Sequence, residues 1–262
     1  MLFRMMSDLS RLPPVDARLL MAFFGSCLIV FILGRLVAWK FFGLDGAGQS
    51  LFGLGGVFSN NVLLGIPLAK VALGEAALPS VALVLVFNSL TLWTLVTVSV
   101  EWARHGSFTA HGFVKTLKAV LTTPIVASIL SGTLFGLSGL PVPELIDQPL
   151  AMVATAAAPL AMIVLGMGLA EYGIREGWQI STAITAVKLL VQPLVVWLLA
   201  RLLGLPPLET QVVVLLASLA VGANVYLMAR HFKVLEGPVA GSLILSTMLS
   251  ALTTPLIVSL LG

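Results

Sequence analysis

The 262 residues carry 59% hydrophobic side chains and 10% charged ones, with a mean hydropathy of +1.09. A soluble domain carries about 25% charged residues, so a water-soluble globular fold is excluded and an all-α polytopic membrane protein embedded in the lipid bilayer is expected. The net charge of +3 is too small and scattered for a nucleic-acid surface, and the lone cysteine, Cys27, excludes an intramolecular disulfide or a cysteine metal cluster.

Eight apolar segments, each near the ~20 residues that cross a ~30 Å hydrocarbon core, are predicted at about 17–38, 50–73, 79–101, 114–137, 149–171, 179–203, 209–229 and 238–261. The second contains SNNVLLGIPL, Ser59 to Leu68. Pro67 lacks an N–H and clashes with the preceding turn, which should free carbonyls near Leu63, and Gly65 should let the chain turn. Opened backbone in hydrocarbon costs several kcal/mol per group, so such a break belongs where protein or an aqueous cavity covers it. Asn60 and Asn61 each offer two donors and an acceptor, enough either to satisfy that backbone or to contact a carboxylate. The third segment holds Asn88 and Thr91, read as helix-packing polar groups.

A short polar link, 104–113, separates an N-terminal part, 1–103, from a C-terminal part, 114–262. In the sixth segment Ser181, Thr185, Lys188 and Gln192 recur at helical spacing on one face. Counted from Gln179 at 1.5 Å per residue, Lys188 lies roughly 14 Å deep. A lysine there costs about 2.5–3.5 kcal/mol on insertion scales, so it supplies positive potential to an anionic ligand, ties down carbonyls freed near a broken helix, or is neutral. The seventh segment is interrupted at AVGANVYLMA, Ala220 to Ala229, where Gly222 and Asn224 must carry the break without a proline. In the eighth, Ser242, Ser246, Ser250 and Thr254 line one face and read as packing contacts.

Basic residues accumulate on the cytoplasmic side of a membrane protein. One alternate set of connections holds Arg35, Lys40, Arg104, Lys115, Lys118, Arg175, Arg230 and Lys233, and the other holds only Arg11, Arg18, Lys70 and Arg201. The link at 104–113 is therefore predicted in the cytoplasm and both chain ends outside. His105, His111 and His231 sit near segment ends without a partner at ligand spacing. No nucleophile elbow, phosphate loop or zinc-protease motif occurs in the sequence, so no metal or cofactor is expected, and a membrane enzyme is left only as an alternative that would need an unrecognised reactive pair.

A weak internal repeat aligns Gly43 with Gly204 and Pro79 with Pro238, placing the two interrupted segments at equivalent positions. From the charge assignment the first segment starts outside and the sixth starts inside, so the repeats are predicted to be inverted, the topology from which alternating access arises.

The pattern N-x-x-x-G-I-P-L from Asn61 to Leu68, with G-A-N-V-Y-L-M-A from Gly222 to Ala229, resembles the auxin efflux carrier family, which includes carriers of malonate and other organic anions. That resemblance implies ten helices in two inverted five-helix repeats, with the fourth and ninth broken and crossing near mid-membrane. The eight segments then correspond to helices three to ten. Helix one and most of helix two have no counterpart, which implies a late-assigned start or a truncated gene, and in the latter case a non-transporting remnant. The resemblance implies transport of a small organic anion, with proton or ion coupling and a homodimer left open; the chemistry of the residues themselves adds a candidate substrate site of Asn60, Asn61, Gly65, Pro67, Lys188, Gly222 and Asn224.

Overall fold

The computed structural model describes residues 17–105 and 177–260 together with scattered positions between 127 and 167. The predicted segments 114–137 and 149–171, most of the 104–113 link, and His111 fall largely or wholly outside the described residues. Six of the eight predicted segments can be compared, and each is helical within a few residues of its expected bounds.

The first is α1, Ala17–Phe42, with its buried residues at Leu19, Ala22, Phe23, Ser26, Cys27, Val30, Phe31, Gly34 and Ala38. That spacing keeps them on one face, while Met21, Leu28, Ile29, Ile32 and Leu36 point outward as a lipid-facing side would. The second segment is two half-helices, α2 (Gly46–Val57) and α3 (Ile66–Leu73), joined through an extended stretch and a π-turn at Asn61–Gly65. Asp45 starts α2 by accepting the Gly48 N–H at 2.8 Å. The long α4, Leu78–His105, follows.

In the C-terminal part the sixth segment is one apolar rod, Trp178–Leu202, made of α5 (Trp178–Ala186), a π-turn at Val187–Val191, and α6 (Gln192–Leu202). The seventh is again split, into α7 (Pro207–Ser218) and α8 (Ala223–Phe232), and α9 (Glu236–Ser259) closes the described chain. Among the described residues three rods, Ala17–Phe42, Trp178–Leu202 and Glu236–Ser259, are long and apolar enough to cross a membrane. The described residues are thus those of a helical membrane protein.

The half-helices α2 and α7 are each 12 residues long, about 18 Å, too short to span a ~30 Å core. They are also apolar all round and buried nearly all round: from Ser50 to Val57 in α2 and from Val212 to Ser218 in α7 no side chain is exposed. Such helices belong in the centre of a bundle. α2 packs between α1 and α4, and α7 between α6 and α9. Glycines permit the close approach in α2. A Cβ on Gly53 would meet the Phe31 carbonyl at 2.8 Å, and one on Gly55 or Gly56 would meet Ile184 or Val187 at 2.7 Å. Arg104 joins the two parts, donating to the Phe232 carbonyl at the end of α8 at 2.5 Å and stacking on the Phe232 ring.

Candidate functional site

Both central helices stop at the same place. α2 ends at Val57 and α7 at Ser218, and the extended residues that follow cross each other. Ser59 and Val221 form an isolated antiparallel bridge. The Asn60 N–H donates to the Ala220 carbonyl at 3.0 Å, and the Gly222 N–H donates to the Phe58 carbonyl at 2.8 Å. Each unwound segment therefore supplies the hydrogen bonds that the other lost on leaving its helix, which is how irregular backbone survives inside a membrane protein.

Three further groups at the broken end of α7 are satisfied by side chains from neighbouring helices. Lys188, at 0% exposure, directs its Nζ to the Ala217 carbonyl in the last turn of α7. Thr254 Oγ1 donates to the Ser218 carbonyl at 2.8 Å, and Ser246 Oγ accepts from the Val221 N–H at 3.0 Å. These α9 hydroxyls do more than the packing contact expected from sequence. The Lys188 face continues on either side: Ser181 Oγ donates to the Pro238 carbonyl at 2.8 Å, and Gln192 Nε2 reaches Ser26 and Cys27 on α1. Lys188 takes the structural-tie geometry, with its Nζ at the carbonyl end of α7.

One expectation about the first break, the turn at Gly65, is corrected. The unwound residues are Phe58 to Asn60, upstream of Gly65 and Pro67. Gly65 is helical, with φ −64° and ψ −49°, so it makes no turn. Its lack of a side chain serves packing instead, since a Cβ there would meet Leu216 Cδ2 at 2.8 Å and Leu219 Cδ1 at 3.3 Å. Pro67 is exposed in the first turn of α3, where a missing N–H is tolerated. The π-turn absorbs the mismatch, with the Ile66 N–H bonding back to the Asn61 carbonyl.

The amides lie at the crossing. Asn60 precedes the π-turn, Asn61 opens it, Gly222 occupies the cap position of α8 and Asn224 its first turn. None caps by side chain. Asn60 and Asn224 are half-buried and make no side-chain hydrogen bond to a described residue. Asn61 is buried with neither its Oδ1 nor its Nδ2 partnered among the described residues, and so are Ser59 Oγ and Asn88 Oδ1. The π-turn packs on α4, the helix that carries Asn88. Tyr226, one turn into α8, likewise has an unpartnered buried hydroxyl. Buried polar atoms are ordinarily hydrogen-bonded, and those left over call for an explanation such as a ligand or water. Ser59 and Tyr226 were missed in the sequence because a serine or tyrosine in an apolar run has no spacing signature.

The described residues are thus those of a helical membrane protein whose two central helices break and cross in its interior. Residues 107–258 match the family model described as "Membrane transport protein", more than half of the chain. The chain belongs to that family, the auxin efflux carrier type expected from its two motifs. It is similar to a protein of Rhizobium meliloti (strain 1021) described as "Putative malonate transporter", at 27% identity over 210 residues, 79% of this chain and 65% of that relative. The chain thus spans 65% of the relative's length.

Proposed function

We propose that the protein is a secondary carrier moving a small organic anion, a carboxylate, across the cytoplasmic membrane by alternating access about the crossed segments. The observation that carries this reading is the backbone-to-backbone crossing at Phe58–Asn60 and Ala220–Gly222 with unpartnered amide atoms beside it. The helical turns beginning at Asn61 and Ala223 start at the crossing, so their N-terminal N–H groups give it positive potential. The opposing carbonyl end of α7 is tied off by Lys188 and Thr254. An anion is the ligand this polarity favours. A carboxylate is further supported by the name of the Rhizobium meliloti relative.

Inverted repeats are supported by the matching element order on either side of the link. Gly43 and Gly204 precede the two 12-residue helices with φ of +59° and +63°, and the equivalent unwound segments pair antiparallel, as a two-fold axis in the membrane plane requires. In this scheme 1–103 and 114–262 are the two repeats, with the link in the cytoplasm. Asn60, Asn61, Gly222 and Asn224 form the substrate site; Gly65 and Lys188 position it. Asn61 is buried in the present conformation, and the movement that alternating access supplies would uncover it.

Asn61→Ala and Asn224→Ala are each expected to lower malonate flux in proteoliposomes about tenfold or more, the effect of losing a hydrogen bond to a charged group worth about 1.5–3 kcal/mol, while insertion and melting temperature hold. Near-normal flux in both variants would remove the amides from the site.

A further inference from the structure

A groove of about 700 Å³ runs between α1 and α4, walled by apolar side chains including Leu28, Ile32, Leu95 and Val98 and ending at Arg35 and Trp102. A second cavity of about 390 Å³ adjoins it at Arg35, Ser99 and Trp102. Arg35 donates from Nη1 to Ser99 Oγ at 2.7 Å, and Ser99 is held in turn by Ser50 Oγ at 2.8 Å. Among the described residues Arg35 pairs with no carboxylate. A guanidinium has five N–H donors and is always charged, so most of its capacity is unspent at the groove's end.

The depth of Arg35 says what would fill it. With α1, about 39 Å long, centred on a ~30 Å core, the Arg35 backbone lies about 7 Å inside the hydrocarbon edge, within snorkelling reach of the headgroup layer. Trp39 and Trp102, 62% and 54% exposed, lie toward the same end of their helices, as interfacial anchors do. The groove therefore offers one positive group at headgroup level and an apolar channel running toward the bilayer centre. A small dicarboxylate fits this poorly, because its second charge would lie against the aliphatic wall at a large desolvation cost.

We propose that this groove is a binding site for an anionic phospholipid, its phosphate held by Arg35 beside Ser99 and one acyl chain lying along Leu28, Ile32, Leu95 and Val98. It is separate from the crossover and does not depend on what the protein carries.

Native mass spectrometry of the full chain in detergent tests it, with dioleoyl phosphatidylglycerol, dioleoyl phosphatidylcholine and inorganic phosphate as probes. Phosphatidylglycerol should bind at least tenfold tighter than phosphatidylcholine. Arg35→Gln should abolish that preference, Arg35→Lys should keep part of it, and Val98→Trp, which fills the channel and keeps the charge, should weaken both lipids. Equal binding of the two lipids by the unaltered protein would overturn the proposal. So would a preference that survives Arg35→Gln, unchanged binding in Val98→Trp, or displacement of phosphatidylglycerol by millimolar phosphate, which would mark a site for the free ion. Should Arg35→Gln fail to fold, Arg35→Lys and Val98→Trp decide the matter by the same criteria.

Discussion

Gly222→Ala is expected to disable transport outright, while Gly65→Ala is expected to be tolerated far better. Both glycines are buried in crowded surroundings, but their neighbours differ in kind. A Cβ on Gly222 would meet Phe58 Cδ1 at 2.9 Å and then the Ser59 backbone, its carbonyl oxygen at 3.0 Å and carbon at 3.2 Å. The ring can turn aside; the backbone cannot move without breaking the Gly222–Phe58 and Asn60–Ala220 hydrogen bonds. Overpacking of this kind costs about 1–3 kcal/mol, concentrated where the two segments must pass each other. A Cβ on Gly65 is crowded only by the flexible ends of two leucine side chains, with Asn61 Cβ at an ordinary contact distance of 3.6 Å. Flux in proteoliposomes, read alongside melting temperature in detergent, checks the pair. Full transport in a Gly222→Ala protein would show that close approach of the two backbones is dispensable.

Lys188→Met is expected to cost stability rather than affinity. Its removal leaves the Ala217 carbonyl buried without a partner, a loss of about 1–3 kcal/mol and a drop in melting temperature on the order of 2–10 °C. Lys188→Arg should also destabilise, because a larger head must enter a site with 0% exposure. Calorimetry on the folded fraction should find malonate affinity changed less than threefold. An unchanged melting temperature with affinity down tenfold would instead put the ammonium in contact with the anion.

The sequence made the rods legible because twenty-residue apolar runs have few alternatives in a bilayer. Gly43 and Gly204 were aligned in the sequence only as a weak repeat; that each takes a left-handed turn comes from the backbone. The first break was read from Pro67, the residue with the strongest local effect, yet the chain unwinds at Phe58–Asn60. Proline in a first helical turn disrupts little, whereas the pairing of Asn60 with Ala220 joins residues 160 positions apart, and no local pattern encodes that. The same distance hid the tasks of Ser246 and Thr254, which looked like ordinary packing hydroxyls until the broken end of α7 was placed beside them. Lys188 was conspicuous as a charge at depth; which partner it takes depended on where α7 stops. Arg35 drew notice only for its sign, because a groove between α1 and α4 is a property of packing.

Counterflow of radiolabelled malonate in proteoliposomes tests alternating access at the crossing most directly. With the full chain reconstituted, unlabelled malonate inside the vesicles should accelerate uptake of label and drive its transient accumulation, and Asn61→Ala should suppress both. Label that equilibrates at one rate whatever the internal malonate, or equally fast in the Asn61→Ala protein, would contradict a carrier working through these crossed segments.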